Sequence, residues 1–503
     1  MRRSVLAACF GAAACYGVLA ITDPPGPGLD PDTMSYLGAA ESLVRHGDLR
    51  IPSAHWLSGD STEALGHFPP GYSIVIAVPV ALGASPVQAA RGIEAAAAFA
   101  TVALTVWLAA SVAGGIAGAL AGAVLLVSPS FAFDHWQIIS EPLCLALVMA
   151  TLLLMTYSRR PWTYGLAAAA AGIVRYAAVG TTGAVALWAY GTTGGRGERL
   201  RRAAVAAAPS VVLQTIWTIR SAIEGGEVRS FGLRGNLPAT FRELTSTLGG
   251  WLAPSVPAGW IAGVVAVAVG VVAVAVIARQ AGPAASTVEE PAEPRRRFLR
   301  AAALVAGCYA AFVTFSRLFV DETIPFDVRI LSPFIVPAEA AAAVALVAAA
   351  RPWRRPARAA AALAALAWLG GSAAATVGAV RDALDGGWGY ADDEWRTSAL
   401  AEWLRTEGRS RAIFSNNTAT AWFLTGRPSR DVPQTLDADS VARFGRALRE
   451  RDGVLVRFPF DLEEGAAPDS LARRLRLVEV AVFPDGVVWA PAAARPGGGR
   501  PPG

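Results

Sequence analysis

The residues best suited to chemistry lie in one polar stretch near the start of the chain, at positions 23–72. This stretch holds three of the four histidines and two aspartates that are two positions apart, between long apolar segments. These side chains are His46, His55, His67, Asp30 and Asp32. Carboxylates can take a proton from a hydroxyl or an amine, and imidazoles can donate to anions such as phosphate. We expect the chemistry of the chain in this early loop.

The histidines and cysteines do not form a metal motif. The histidines lack the spacing of ligand sets such as HExxH. The cysteines all fall inside apolar segments and form no CxxC pair, so we expect neither a disulfide framework nor a zinc site. The cysteines are Cys9, Cys15, Cys144 and Cys308. The sequence therefore predicts no cofactor, with a divalent metal as the weaker alternative.

Composition indicates a protein that crosses a membrane several times. The chain has 503 residues, of which 54% are hydrophobic and only 17% are charged. The mean hydropathy of +0.42 is too high for an ordinary soluble protein of this length. The formal net charge of +5 comes from arginines beside apolar segments, which fits membrane topology rather than nucleic-acid binding.

The apolar segments predict about eleven transmembrane helices, since one span needs about 20 apolar residues. They lie near 4–21, 86–112, 115–131, 141–157, 162–174, 176–191, 203–220, 257–278, 299–319, 330–350 and 359–380. The short run 71–84 contains Pro79 and predicts an interfacial helix instead. No clean cleavage site precedes Asp23, which favours a retained first helix over a cleaved signal peptide.

Arginine placement agrees with eleven spans and a cytoplasmic N-terminus in the cell membrane. Every dense basic cluster then falls on the cytoplasmic side. These clusters comprise Arg2, Arg3, Arg159, Arg160, Arg196, Arg199, Arg201, Arg202, Arg279, Arg295, Arg296, Arg297, Arg300, Arg351, Arg354, Arg355 and Arg358. The outer side receives the loops 22–85, 129–140, 221–256 and 320–329, the turn at Arg175, and the C-terminal part from about Arg381.

The C-terminal part has the composition of a soluble domain. Strand-like runs at 412–416, 453–458, 477–483 and 486–490 alternate with helix-like runs at 439–452 and 469–476. This alternation predicts a small extracytoplasmic α/β domain with a partly parallel sheet. We therefore divide the chain into a transmembrane domain at 1–380, an outer domain at 381–493 and a disordered tail at 494–503. A second disordered segment is expected at 281–297.

Asp32 has two interpretations that spacing alone leaves open. Asp30, Pro31 and Asp32 open a helix that continues through Tyr36 with apolar residues at helical spacing. Both aspartates could simply cap that helix. Alternatively, Asp32 could act as a general base at the membrane face.

This stretch resembles a known family. DPDTMSYLGAAESLVRHGDL, followed by HFPPGYSIVIAVPVALG, is similar to the first outer loop of GT-C glycosyltransferases, such as protein O-mannosyltransferases and lipid A aminoarabinose transferases. Asp32 and Tyr36 match the Asp that precedes a Tyr by four residues, and His67 and Tyr72 match a basic residue, prolines and a Tyr. The resemblance implies that Asp32 is a base or orients the acceptor. It also implies that His67, where lysine is better known, contacts the donor phosphate, together with Tyr36 and Tyr72.

The resemblance extends to a second acidic loop. FDHWQIISEPL resembles the family segment in which an acidic residue and a proline open a helix. Glu141 and Pro142 match it, although some relatives have aspartate there. Glu141 could instead only cap its helix, where the helix dipole favours an acid. Asp134 and His135 are secondary candidates.

Three arginines complete the resemblance. Arg175, Arg220 and Arg329 match basic positions of the family, in GIVRYAAVG, TIWTIRS and FDVRILSPFIVP. Guanidinium groups suit a phosphate leaving group because they bind it with two parallel hydrogen bonds. We expect the arginines and His67 on one side of the site, opposite Asp30, Asp32 and Glu141.

The sequence therefore predicts a GT-C-like membrane glycosyltransferase. Its donor would be a polyprenyl-phosphate sugar, its acceptor an extracytoplasmic protein, lipid or polysaccharide, and its reaction an inverting displacement. A transporter or flippase of lipid-linked sugars is the main alternative, although the inverted repeats typical of transporters are not visible. A non-catalytic cell-envelope assembly protein is a third hypothesis. The sequence does not identify the sugar.

Overall fold

The computed structural model describes residues 2–224, 232–233, 235–252, 293–458 and 465–492. The chain forms two structural units, and each is made of two separate segments of the sequence. The helical unit comprises Met1–Pro27 and Gly66–Gly387. The sheet unit comprises Gly28–Leu65 and Trp388–Gly503. The predicted span 257–278, most of the predicted disordered segment at 281–297, and the predicted tail lie outside the described residues.

The helical unit consists of apolar helices joined by short connections. Several of these helices begin with proline in the first turn, where the missing N–H costs nothing. The helices are Arg2–Ile21, Gly71–Ala81, Pro86–Ala113, Gly115–Leu126, Pro129–Trp136, Glu141–Tyr157, Pro161–Val174, Gly180–Tyr190, Arg196–Ile223, Leu237–Leu252, Glu293–Phe319, Val328–Ala350 and Arg355–Gly386, with a 3₁₀ turn at Tyr176–Val179.

Among the described residues, six helices are long and apolar enough to cross a membrane, or seven if one bent pair counts as a span. That pair, Gly115–Leu126 and Pro129–Trp136, meets at 62° where a continuous span 115–131 was expected. The break arises because Ser128 caps the second helix through the Phe131 amide and Pro129 follows it. The predicted total of eleven is therefore not confirmed, and the shorter predicted spans are helices of 11 to 17 residues.

The sheet unit is built on a six-stranded mixed sheet. Its strands, in chain order, are β2 (Ser53–Ala54), β4 (Ala412–Ser415), β5 (Ser429–Arg430), β6 (Gly453–Arg457), β7 (Val478–Phe483) and β8 (Gly486–Ala490). The order across the sheet is β2-β5-β4-β6-β8-β7. The first four strands in this order are parallel, and β8 and β7 run antiparallel to their neighbours. A separate ribbon pairs β1 (Arg50–Ile51) with β3 (Glu63–Ala64).

Helices of the sheet unit pack around this sheet. They are Pro31–His46, Asp393–Arg396, Ala399–Arg405, Thr418–Thr425, Ala438–Glu450 and Pro468–Leu475. Two apolar clusters form the core, one around Phe414 and Phe444 and the other around Trp395 and Val454. The four strands expected from the C-terminal sequence are thus present, in a partly parallel arrangement.

Most of the early polar stretch, Gly28–Leu65, is part of this sheet unit, which differs from the predicted boundary near residue 380. Strand β2 lies at the sheet edge, with Ser53 opposite Ser429. Trp56 is buried in the core, and its ring meets that of Phe444 edge-on at 5.9 Å. Its backbone N–H donates to Asp431 at 2.6 Å. The sequence could not indicate this pairing, because a two-residue strand has no periodicity and its partners lie more than 350 positions away.

The role of Trp56 in this core gives a first prediction. Replacing Trp56 with alanine is expected to destabilise the sheet unit by about 3–5 kcal/mol, the usual cost of removing a buried aromatic side chain. Limited proteolysis of the purified full chain measures this loss of stability, which should appear as faster cleavage within residues 388–492. His55→Ala is the matched control, because the neighbouring imidazole is exposed. Equal resistance of the Trp56 variant and wild type to proteolysis would contradict the assignment of Trp56 to this core.

Candidate functional site

The two aspartates of the early loop have different roles in the sheet unit. Asp30 is the N-cap of helix Pro31–His46, and its Oδ1 accepts from the Asp32 amide at 3.1 Å. The Thr33 hydroxyl accepts from the Asp30 amide at 3.0 Å, which completes a capping box. Asp30 is thus engaged in capping. Asp32 is half-buried in the first turn and is the stronger candidate for a base.

Tyr36 is fully buried one turn after Asp32. Its helix packs very closely on the segment that leads into β2, since a Cβ on Gly38 would lie 2.2 Å from Pro52 Cδ. Tyr36 thus lies on the buried face of the helix that carries Asp32. The direct contact of Tyr36 with a donor stays a prediction.

In the helical unit, Glu141, Arg175 and Arg329 form a buried ionic cluster. Glu141 begins helix Glu141–Tyr157 and is completely buried. Its Oε2 lies 3.0 Å from Arg175 Nη1, and its Oε1 lies 2.8 Å from Arg329 Nε. Ser140 joins the cluster, because its hydroxyl accepts from Arg175 at 3.1 Å. We call Glu141, Arg175 and Arg329 the arginine cluster.

Breaks in the helices place both guanidinium groups. Arg175 lies between helix Pro161–Val174 and the 3₁₀ turn, with an extended backbone at φ −149° and ψ 127°. Arg329 lies in the first turn of helix Val328–Ala350, whose N-cap Asp327 accepts from the Ile330 amide at 2.9 Å. The side chains of Arg175 and Arg329 are 13% and 19% exposed. Each arginine therefore stands at a helix start or break.

The position of Glu141 corrects the predicted layout. The sequence placed Glu141 opposite the arginines, whereas its two carboxylate oxygens each bind one of them. A buried pair of guanidinium groups needs such a counter-charge. Glu141 therefore holds two arginines side by side in an arrangement suited to an oxyanion.

The segment with His67 and Tyr72 runs beside this cluster. Gly71 begins helix Gly71–Ala81, and a Cβ there would lie 2.6 Å from the Ile173 carbonyl oxygen, two positions before Arg175. Tyr72 is fully buried and donates to Glu94. His67 is exposed and packs edge-on against Phe68, with ring centroids 4.7 Å apart.

This close approach gives a second prediction. Replacing Gly71 with alanine is expected to cost about 1–3 kcal/mol of stability, because backbone atoms must move to admit the methyl group. The displacement should also weaken phosphate binding, since it acts next to Arg175. Thermal unfolding in detergent measures the first effect. Gly92→Ala is the control, since open space surrounds that position, and equal unfolding temperatures for the two variants would contradict the contact.

Asp134 and His135 lie on helix Pro129–Trp136 and are completely buried or nearly so. His135 Nδ1 lies 2.8 Å from the Phe131 carbonyl oxygen. Asp134 interacts electrostatically with both Glu141 and Arg329. The carboxylates of Asp134 and Glu141 both repel that of Glu94 electrostatically. Several acids thus gather at the end of the bundle that holds the arginine cluster.

Arg220 has partners of its own at the end of another helix. It lies in the last turn of helix Arg196–Ile223, pairs with Glu224 at 3.3 Å and covers the ring of Trp217 at 4.8 Å. The Trp217 indole donates to the hydroxyl of Tyr176 at 2.7 Å. Because Tyr176 follows Arg175 in the chain, this aromatic pair links Arg220 to the arginine cluster.

Sequence reasoning missed Glu94. Arg91, three positions earlier, would be its partner by helical spacing. Arg91 instead donates to the Thr22 hydroxyl at 2.8 Å and the Leu19 carbonyl at 2.7 Å, and lies 3.6 Å from Asp23. Glu94 instead points into the helical unit and is 1% exposed. An acid at helical spacing among alanines was the available signal. Within the described part of the chain, no group of three or more His, Cys, Asp or Glu side chains could hold a metal ion.

Comparison with known proteins shows the fold. No protein family model and no curated protein matches the sequence. Among solved structures, ArnT from Cupriavidus metallidurans bound to undecaprenyl phosphate is similar, with a TM-score of 0.56, 16% identity, and coverage of 97% of this chain and 98% of ArnT. The apo state of the same protein gives a TM-score of 0.51 at 16% identity, covering 96% of this chain and 97% of ArnT.

A second protein has the same fold over part of its length. Arabinofuranosyltransferase AftD from Mycobacteria matches with a TM-score of 0.55 and 17% identity. The match covers 96% of this chain but only 41% of AftD. At 16% and 17% identity, these similarities show a shared fold. The predicted resemblance is therefore confirmed at the level of the fold, and the chain is a multi-pass membrane protein with that architecture.

Proposed function

We propose that the protein is a membrane glycosyltransferase that moves a monosaccharide from a polyprenyl-phosphate donor to an extracytoplasmic acceptor. The observation that carries this proposal is the arginine cluster in a chain with a GT-C fold. A buried carboxylate that holds two guanidinium groups together prepares a site for a phosphate leaving group. The undecaprenyl phosphate bound to ArnT is a lipid of the class that we propose here.

The proposed reaction is a single displacement at the anomeric carbon. The acceptor oxygen or nitrogen forms a bond to that carbon while the bond from the carbon to the phosphate oxygen breaks. Asp32 takes the proton from the acceptor, as a general base does. Arg175 and Arg329 stabilise the negative charge that develops on the leaving phosphate, which becomes free polyprenyl phosphate. The configuration at the sugar inverts because one displacement occurs.

The lipid tail of the donor would lie against apolar helix surfaces of the helical unit. Helix Arg196–Ile223 offers a groove of about 260 Å³ lined by Ile216, Ile219, Arg220, Ile223 and Glu224. The three isoleucines in this groove are 55–78% exposed, as side chains that face lipid are. In this proposal Arg220 stands where the tail meets the polar headgroup.

A transfer assay with a panel of donors tests the proposal. Membranes from a strain that lacks its own copy would receive radiolabelled polyprenyl-phosphate sugars, with the wild-type chain or an empty vector. Label in an acceptor only with the wild-type chain supports the proposal, and the active label identifies the sugar. Movement of intact labelled lipid across the membrane, with no label in any acceptor, would instead indicate a flippase.

A further inference from the structure

Glu94 is a buried acid that neither the sequence motifs nor the proposed reaction uses. It lies in helix Pro86–Ala113 and is 1% exposed. One of its carboxylate oxygens accepts a hydrogen bond from the Tyr72 hydroxyl. Burying a carboxylate among apolar helices is costly unless its contacts serve a purpose.

The hydrogen-bond partner of Glu94 lies beside the arginine cluster. Tyr72 follows Gly71, whose backbone is in contact with Ile173, two positions before Arg175. Glu94 therefore connects helix Pro86–Ala113 to the segment that packs against the residues leading into Arg175.

We propose that Glu94 is a positioning residue for the phosphate-binding arginines. It fixes helix Gly71–Ala81 to helix Pro86–Ala113, so that the segment in contact with Gly71 holds Arg175 at its place beside Glu141. The inference rests on the proposed function, because it assigns Glu94 to the same phosphate site. A shift of about 1 Å in such a group can reduce the rate about 100-fold.

The chain offers a matched control with the same chemistry. Glu339 is half-buried, and its Oε1 accepts from the Trp251 indole at 2.8 Å. It shares helix Val328–Ala350 with Arg329 but lies about 15 Å along the axis, at 1.5 Å per residue. Replacing Glu339 removes a hydrogen-bonded pair between an acid and an aromatic side chain that is remote from the cluster. This variant therefore measures the structural cost of such a change.

The test measures binding, stability and kinetics on the purified full chain. The probe is undecaprenyl phosphate, and the variants are Glu94→Ala, Glu94→Gln, Tyr72→Phe and Glu339→Gln. We expect Glu94→Ala to weaken probe binding and raise the donor KM by about tenfold to 100-fold. Glu94→Gln should restore much of the affinity, because an amide oxygen still accepts from Tyr72. Tyr72→Phe should reproduce a large part of the loss, and Glu339→Gln should lower only the unfolding temperature.

Two results would overturn the inference in distinguishable ways. If the Glu94 and Glu339 variants lose stability equally and both bind the probe as wild type does, Glu94 is structural and the proposed function stands. If wild type itself does not bind undecaprenyl phosphate, the proposed function fails and the inference fails with it.

Discussion

Replacing Asp32 with asparagine is expected to reduce sugar transfer by about 100-fold to 10,000-fold, the range for loss of a general base. Donor binding should stay unchanged, because the phosphate site that we propose uses arginines and not Asp32. Folding should also be preserved, since the cap of the helix is Asp30. The measurements are transfer to the acceptor, binding of polyprenyl phosphate and thermal unfolding at equal expression.

Asp30→Asn is the control for this prediction. Asparagine caps helices about as well as aspartate, so this variant should keep near-normal transfer and stability. Equal loss of transfer in both variants would show that the helix start matters rather than the Asp32 carboxylate. Full transfer by Asp32→Asn would remove Asp32 from the mechanism.

Replacing Glu141 with glutamine is expected to destabilise the protein by about 3–5 kcal/mol, because it leaves two buried guanidinium groups without their counter-charge. Transfer should fall as well, since the arginines lose their fixed spacing. Because a phosphate supplies the missing negative charge, undecaprenyl phosphate should raise the unfolding temperature of this variant more than that of wild type. Thermal unfolding with and without the lipid measures the loss of stability and the response to the lipid.

Glu243→Gln is the control for Glu141. Glu243 binds Arg317 through both oxygens in the same unit, but its side chain is 46% exposed. We expect a smaller loss of stability and no change in the response to lipid. If Glu141→Gln stays fully stable and loses only kcat, then Glu141 acts on the acceptor and not through the arginines.

The sequence predicted the parts of this protein that depend on local patterns. The lengths of the apolar segments indicated the helices. The residues Asp30, Pro31 and Asp32, which are typical of a helix N-terminus, indicated a helix start that the structure has. Strand-like runs indicated four strands of the sheet. The motifs around Glu141, Arg175 and Arg329 indicated residues that the structure brings into direct contact, although they were expected on opposite sides of the site.

The sequence could not predict features that depend on contacts between distant segments. In the sequence, Trp56 resembles a loop residue, because the residues that bury it come from the far end of the chain. Glu94 looks like the i,i+3 partner of Arg91, because helical spacing favours that pair. In the structure, Arg91 donates to a carbonyl and a hydroxyl at the end of the first helix. Glu94 is buried and accepts from Tyr72 instead.

The most direct test of the central claim is the release of free polyprenyl phosphate from a lipid-linked sugar. Membranes that contain the acceptor would receive a donor labelled in both the sugar and the lipid, with wild type or Asp32→Asn. The account predicts that wild type moves the sugar label to the acceptor and produces an equal amount of free polyprenyl phosphate, while Asp32→Asn produces almost none. Labelled lipid that crosses the membrane with its sugar still attached, at equal rates for both proteins, would contradict it.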